Sequence, residues 1–212
     1  MLTLLTKKHN TMGISERRIR QQDEIRNNII EQSWTIVKNE GWQALSIRRI
    51  AEAIEYSVPV IYKHFENKEA IQEHFIRKGF TALTEHLRQA QRVSTDSSEK
   101  IRDIASSYWK FSAQQTDYYR IMFGLGIPTC EKLSSVMEMH EVSEIMSNAI
   151  LETAKTSGIT NIDLHLKIKS FWSTLHGFIA IELLSNNTIP EKPSPIFNDA
   201  IESYIYTLTN KK

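Results

Sequence analysis

Apolar positions recur along this chain at spacings of three and four residues, the period of helices that bury one face. Between 15 and 40, Ile25, Ile29, Trp34, Ile36 and Val37 predict a long helix that Gly41 ends as a C-cap, after which Trp42 and Leu45 pack the next segment onto it. Asn67 is placed to open a second long helix over 67–91, and the polar run 93–98 reads as a linker. Ile101, Ile104, Ala105, Tyr108 and Phe111 then form a connected stripe over 99–115. A short helix from Asp117 is broken by Gly124, Gly126 and Pro128; a longer one over 130–157 closes at Gly158. Three of the five prolines fall in 190–195, a loop between a helix over 162–185 and another over 195–209. The pattern predicts an all-α protein of about nine helices: a flexible arm over 1–14, a small helical unit over 15–66 and a larger one over 67–212.

Residues 46–68 have a tighter rhythm, two short helices joined by a turn. Ile50, Ala51 and Ile54 share a face of the first, Tyr56 sits in the turn, and Ile61 and Phe65 lie on the inner face of the second. Two helices crossing steeply leave room at position 51 for little beyond alanine, and Ser46 and Ser57 stand where N-caps belong. This is the core of a helix-turn-helix. Such units place the start of their second helix in the DNA major groove, which makes Val58, Pro59, Val60, Tyr62, Lys63 and His64 candidate readers. Val58 and Val60 suit thymine methyl groups or sugar.

The run Val-Ile-Tyr-Lys-His-Phe-Glu-Asn-Lys-Glu-Ala at 60–70 resembles the end of the DNA-binding domain of the tetracycline-repressor (TetR) family, with its Tyr-x-His-Phe segment and following lysine. The resemblance implies a helix-turn-helix DNA-binding domain over 15–66 and a ligand-binding and dimerisation domain over 67–212. It implies a ligand-responsive repressor that binds a palindromic double-stranded operator as a homodimer and is released by a small apolar effector. By positional match Arg48 reaches a guanine edge or a phosphate, with Arg49 as the alternative, and Lys68 holds a phosphate. Ser46 and Ser57 complete the expected interface. Glu55 departs from the family, which has glycine at this turn position, and places an acid near DNA.

In the larger unit, Leu164, Ile168, Phe171, Trp172, Leu175 and Ile179 make a bulky face, whereas Ser170, Ser173, Gly177 and Ala180 form a row of small side chains that lets another helix approach. Phe-Trp-Ser-Thr-Leu-His-Gly-Phe-Ile-Ala-Ile-Glu-Leu at 171–183 is similar to the Trp...His-Gly (WHG) pattern of one TetR C-terminal subgroup, and Asp-Tyr-Tyr-Arg-Ile-Met-Phe at 117–123 resembles its usual partner. That likeness implies a dimer seam built from the small row together with Phe197, Ile201, Tyr204 and Ile205 of the last helix. Candidate effector contacts are Tyr108, Trp109, Met122, Phe123, Met137, His140, Trp172 and His176.

Bulk properties narrow the alternatives. Residues 1–92 carry 15 Lys and Arg against 11 Asp and Glu, and residues 93–212 carry 11 against 14, so the positive end coincides with the helix-turn-helix. Lys7, Lys8, Arg17, Arg18 and Arg20 are available as a basic arm or as phosphate contacts. No apolar run reaches membrane-spanning length and the N-terminus lacks a secretory pattern, giving a cytoplasmic expectation; a lone cysteine, Cys130, excludes an internal disulfide. The seven histidines are scattered, with no HExxH, glycine-rich phosphate loop or GxSxG. No catalytic residue, metal or cofactor is expected, and His140 with Glu144 one turn on reads as a solvated or packed pair. The competing reading is an all-helical ligand-binding or adaptor protein without operator binding.

Overall fold

A computed structural model describes residues 13–92, 94–124 and 137–210. Lys7 and Lys8 of the expected arm, Val93 of the linker, the breakers Gly126 and Pro128, and Cys130 at the expected start of a helix lie outside the described residues. The described elements are α1 (Ile14–Glu40), a 3-10 turn (Trp42–Ala44), α2 (Ile47–Ala53), α3 (Val58–Tyr62), α4 (Lys68–Gln91), α5 (Ser97–Gln114), α6 (Thr116–Phe123), α7 (Met137–Thr156), α8 (Leu164–Asn186) and α9 (Pro195–Thr209). The chain is all-α among these residues. They divide into two compact units, one ending at Ile71 and the other beginning at Gln72.

In the first unit, Ile29, Ile36 and Val37 of α1 join Trp42, Leu45, Ile50, Ala51, Ile54, Ile61 and Phe65 in one core. Ile25 and Trp34, expected with them, are only half-buried. Gly41 ends α1 at φ 83°, and its N–H returns to the Val37 carbonyl. Ser46 caps α2 by accepting from the Arg49 N–H at 3.2 Å. Ser57 does not act as expected: it precedes α3 without a side-chain cap bond. Pro59 in the first turn of α3 removes an N–H that a helix start leaves unpaired anyway.

In the second unit α5 is the inner helix, packed by α6, α7, α8 and α9. It starts at Ser97 rather than 99, because Asp96 accepts from the Glu99 N–H at 2.9 Å and caps the helix earlier than the polar run suggested. Gly79 of α4 is fully packed beside α6, where an added Cβ would fall 2.5 Å from Met122 Sδ. Ion pairs bind α4 to α7 (Arg77–Glu138 and Arg88–Glu141, both 3.0 Å) and α5 to α9 (Arg102–Glu202, 2.6 Å).

The last helix packs part of the expected seam into its own unit. Phe197, Ile201, Tyr204 and Ile205 are buried inside the unit itself. The Phe197 ring packs 4.8 Å from Trp109, whose Nε1–H donates to the Pro190 carbonyl at 2.8 Å, and the Tyr204 ring stacks 4.9 Å from Phe171. Apolar spacing marked the buried face of α9, which packs on α5, α7 and α8 within the unit. Phe197→Ala is therefore expected to cost about 3–5 kcal/mol of unfolding stability. In denaturant titration the loss should be the same at low and high protein concentration, because the contact lies within one chain.

Candidate nucleic-acid interface and effector cavity

The α2–α3 turn is closed by backbone alone. Tyr56 N–H donates to the Ala51 carbonyl at 2.9 Å and Glu55 N–H to the Glu52 carbonyl at 3.2 Å, the paired bonds of a Schellman motif. That motif requires a left-handed residue after the helix, and Glu55 supplies it at φ 59°. Two arginines then lock the short helices onto α1. Arg49 makes a forked pair with Glu40 (3.0 and 2.6 Å) and also donates to the Ala44 carbonyl at 3.1 Å. Its hydrogen bonds hold the Glu40 carboxyl below the usual carboxylate range. Arg26 donates to the His64 carbonyl at 2.9 Å and lies 4.3 Å over the Phe65 ring.

These clamps decide which expected readers are available. Pro59, Tyr62 and Lys63 are exposed, as are Ser57 and Tyr56, while Val58, Val60 and His64 are half-buried. Arg48 is exposed and, among the described residues, pairs with Glu52 one turn on at 3.0 Å. Arg49, the alternative, is spent on Glu40 and Ala44, and the Ser46 hydroxyl is spent as a cap. Lys68 has a structural role as well: its ammonium donates to the Trp42 carbonyl at 2.9 Å and sits 4.7 Å over that indole. Partial burial lowers its pKa, opposed by Glu69. The His64 imidazole is likewise pushed down, first by burial and then by Arg26 and Lys63, which favours the neutral ring.

In the second unit, α6, α7 and α8 line an open cavity of about 710 Å³ bordered by Phe123, Met139, His140, Ser143, His165, Ile168, Lys169, Trp172, Ser173 and His176. Its size is that of a small-molecule site. Four of the expected effector contacts, Phe123, His140, Trp172 and His176, are on this wall. Trp109 and Met122 belong to the core, and Met137 is exposed without lining the cavity. Tyr108 is fully buried behind the wall, where it accepts from Trp172 Nε1–H at 3.2 Å. Its hydroxyl is 3.5 Å from that of Tyr119, which is 2.6 Å from His176 Nδ1. Burial raises the pKa of both phenols well above the ordinary value and lowers that of His176.

Two family models match the chain: bacterial regulatory proteins of the tetR family over residues 29–74, and a tetracyclin repressor-like C-terminal domain over 101–204. Together they span well over half of it. The chain belongs to the TetR family. It is 26% identical over 102 residues to the HTH-type transcriptional activator FasR of Mycolicibacterium smegmatis, a match that takes in 48% of this chain and 47% of the relative. The chain thus spans about half the length of this relative. Its fold is shared with a Rhodococcus sp. RHA1 protein of unknown function (TM-score 0.66, 16% identity, 96% of this chain and 97% of that one). It is also shared with the TetR family regulator PfmR of Thermus thermophilus (TM-score 0.60, 17% identity, 88% and 97%).

Against the TetR pattern, two groups of residues escaped the sequence reading. Arg26 and Glu40 fix the helix-turn-helix from α1, across sequence separations that no local pattern reveals. His165 and Lys169 of the cavity wall were legible in principle, since they stand one turn apart and continue to Ser173 and His176 beside Ile168 and Trp172. Glu55 is the family departure with an energetic consequence. An L-residue in left-handed geometry costs about 1–2 kcal/mol, of which glycine's greater unfolded-state entropy offsets about half or more. Glu55→Gly should accordingly raise unfolding stability by up to about 1 kcal/mol in urea titration. A loss of stability would mean that the Glu55 side chain contributes more than its backbone costs.

Proposed function

We propose that this protein is a cytoplasmic, ligand-responsive transcriptional repressor that binds a palindromic operator as a homodimer and is released by a small effector held in the second unit. The observation that carries the reading is the rigid presentation of α3, whose Pro59, Tyr62 and Lys63 are exposed on a helix fixed by a Schellman turn and two arginine clamps. On this reading Arg48 reads a base edge or phosphate, Val58 and Val60 face thymine methyls, and Tyr62, Lys63 and Lys68 hold phosphates.

The dimer seam follows the exposed face of α8. Ser170 and Ser173 are exposed and Gly177 and Ala180 half-buried, in line with the apolar Leu166, Ile181 and Leu184, which are 57%, 62% and 82% exposed. On α9 the exposed apolar residues are Ile196 and Tyr206 rather than the four in the core. An uncovered stripe of this composition fits a second copy of the same hairpin. Trp172, His176 and Gly177 support placing the second unit in the WHG subgroup. An effector that shifts the population toward a dimer whose α3 helices no longer match grooves about 34 Å apart would release the DNA.

Selection of bound duplexes from a random pool, followed by fluorescence anisotropy across a salt series, tests the reading. A two-fold symmetric site is expected, and recovery of no preferred site would favour the adaptor alternative. Lys63→Ala should weaken every site alike and flatten the salt slope by about one unit, with unfolding stability unchanged. Lys68→Ala should flatten the slope similarly and also lower stability by about 1 kcal/mol, because the Trp42 carbonyl loses its donor.

A further inference from the structure

The wall of the second-unit cavity is one-sided in formal charge among the described residues. Lys169 can only donate, and among the described residues it is the one of permanent formal charge on the wall, which no described Asp or Glu lines. The nearest carboxylates on α7 are engaged elsewhere, Glu138 with Arg77 and Glu141 with Arg88, while Glu144 is exposed and off the wall.

Behind the wall, Tyr108 accepts from the Trp172 indole, its hydroxyl lies 3.5 Å from that of Tyr119, and Tyr119 pairs with His176 Nδ1 at 2.6 Å, which anchors the imidazole through that nitrogen. Burial disfavours the imidazolium, so no second cation faces Lys169 from His176. Between Lys169 and His176 runs an apolar strip, Ile168 and Trp172 at one-turn spacing on α8, faced by Met139 and ended by Phe123. Along α8 the lining spans His165 to His176, about 16 Å at 1.5 Å per residue.

We propose that this cavity takes an amphipathic organic acid, with its carboxylate or phosphate head accepting from Lys169 and its elongated apolar body on the Ile168–Trp172 strip. A lysine on the wall with no Asp or Glu among the described lining residues attracts an anion and disfavours a cation of the same shape, which would find no counter-charge among them. The proposal rests on the reading of the second unit as the effector-binding half, and it replaces a merely apolar effector with an acidic one.

Isothermal titration of the full chain with decanoate, decyl phosphate, decanol and decyltrimethylammonium tests it. The two acids distinguish carboxylate from phosphate heads; at least one should bind tenfold or more tightly than decanol, with no measurable binding of the cation. Lys169→Met, at an exposed position, should remove most of that preference while leaving decanol binding unchanged. Decanol binding as tightly as both acids, or acid binding indifferent to Lys169→Met, overturns the proposal. So does failure of both acids to bind while sedimentation shows Lys169→Met breaking a dimer, which would assign the cavity to a second copy. Operator binding measured on the same preparation separates the two readings. DNA binding without acid binding sinks this proposal alone, and acid binding without DNA binding sinks the regulator instead.

Discussion

The first unit depends on a single local constraint, the reversal of the backbone between Ala51 and Ser57. Seven residues must turn one helix into the next at short range, and the chain does so with the Schellman pair of bonds and Glu55 in left-handed geometry. Once that reversal is set, Ala51 and Ile61 meet in the core, and the outward side of α3 is defined by elimination. The arginine clamps act at one remove. Arg49 ties the start of α2 to the end of α1 through Glu40, and Arg26 ties the end of α3 to the middle of α1. A turn, two clamps and a small core therefore hold a helix of five residues that has no stability of its own.

Much of this was legible in the sequence because it is local. Period, caps and breakers located the helix ends that fall among the described residues to within a few residues, and the unusual turn residue was visible as Glu55 where glycine is expected. What was not legible depends on distant partners. Ser57 stands at a cap position but makes no cap bond, since Pro59 and the turn geometry already define the start of α3. Arg49 matched a reading position as well as Arg48 does, and only the approach of Glu40 shows that its guanidinium is spent.

The second unit shows the same division more sharply. Periodicity identified the apolar positions of α8 and α9 but could not say what covers each face. α8 is apolar nearly all round, with Phe171, Leu175, Ile179 and Leu183 inside and Leu166, Ile181 and Leu184 outside, so the pattern alone left two faces competing for the same role. α9 resolves the competition by burying its aromatic face in the unit. The aromatic and histidine residues expected to touch an effector also separate by depth: Trp109 and Met122 pack the interior, Tyr108 and Tyr119 orient His176 from behind, and Phe123, His140, Trp172 and His176 form the wall. Burial and hydrogen-bond order turn a list of similar side chains into core, relay and surface.

The central claim is that α3 is one half of a two-fold DNA reader. Hydroxyl-radical footprinting on a selected operator tests it most directly. Two protected patches related by a dyad and centred about one helical turn, about 34 Å, apart are the predicted result. A single patch, or protection spread evenly along the duplex, would contradict the account.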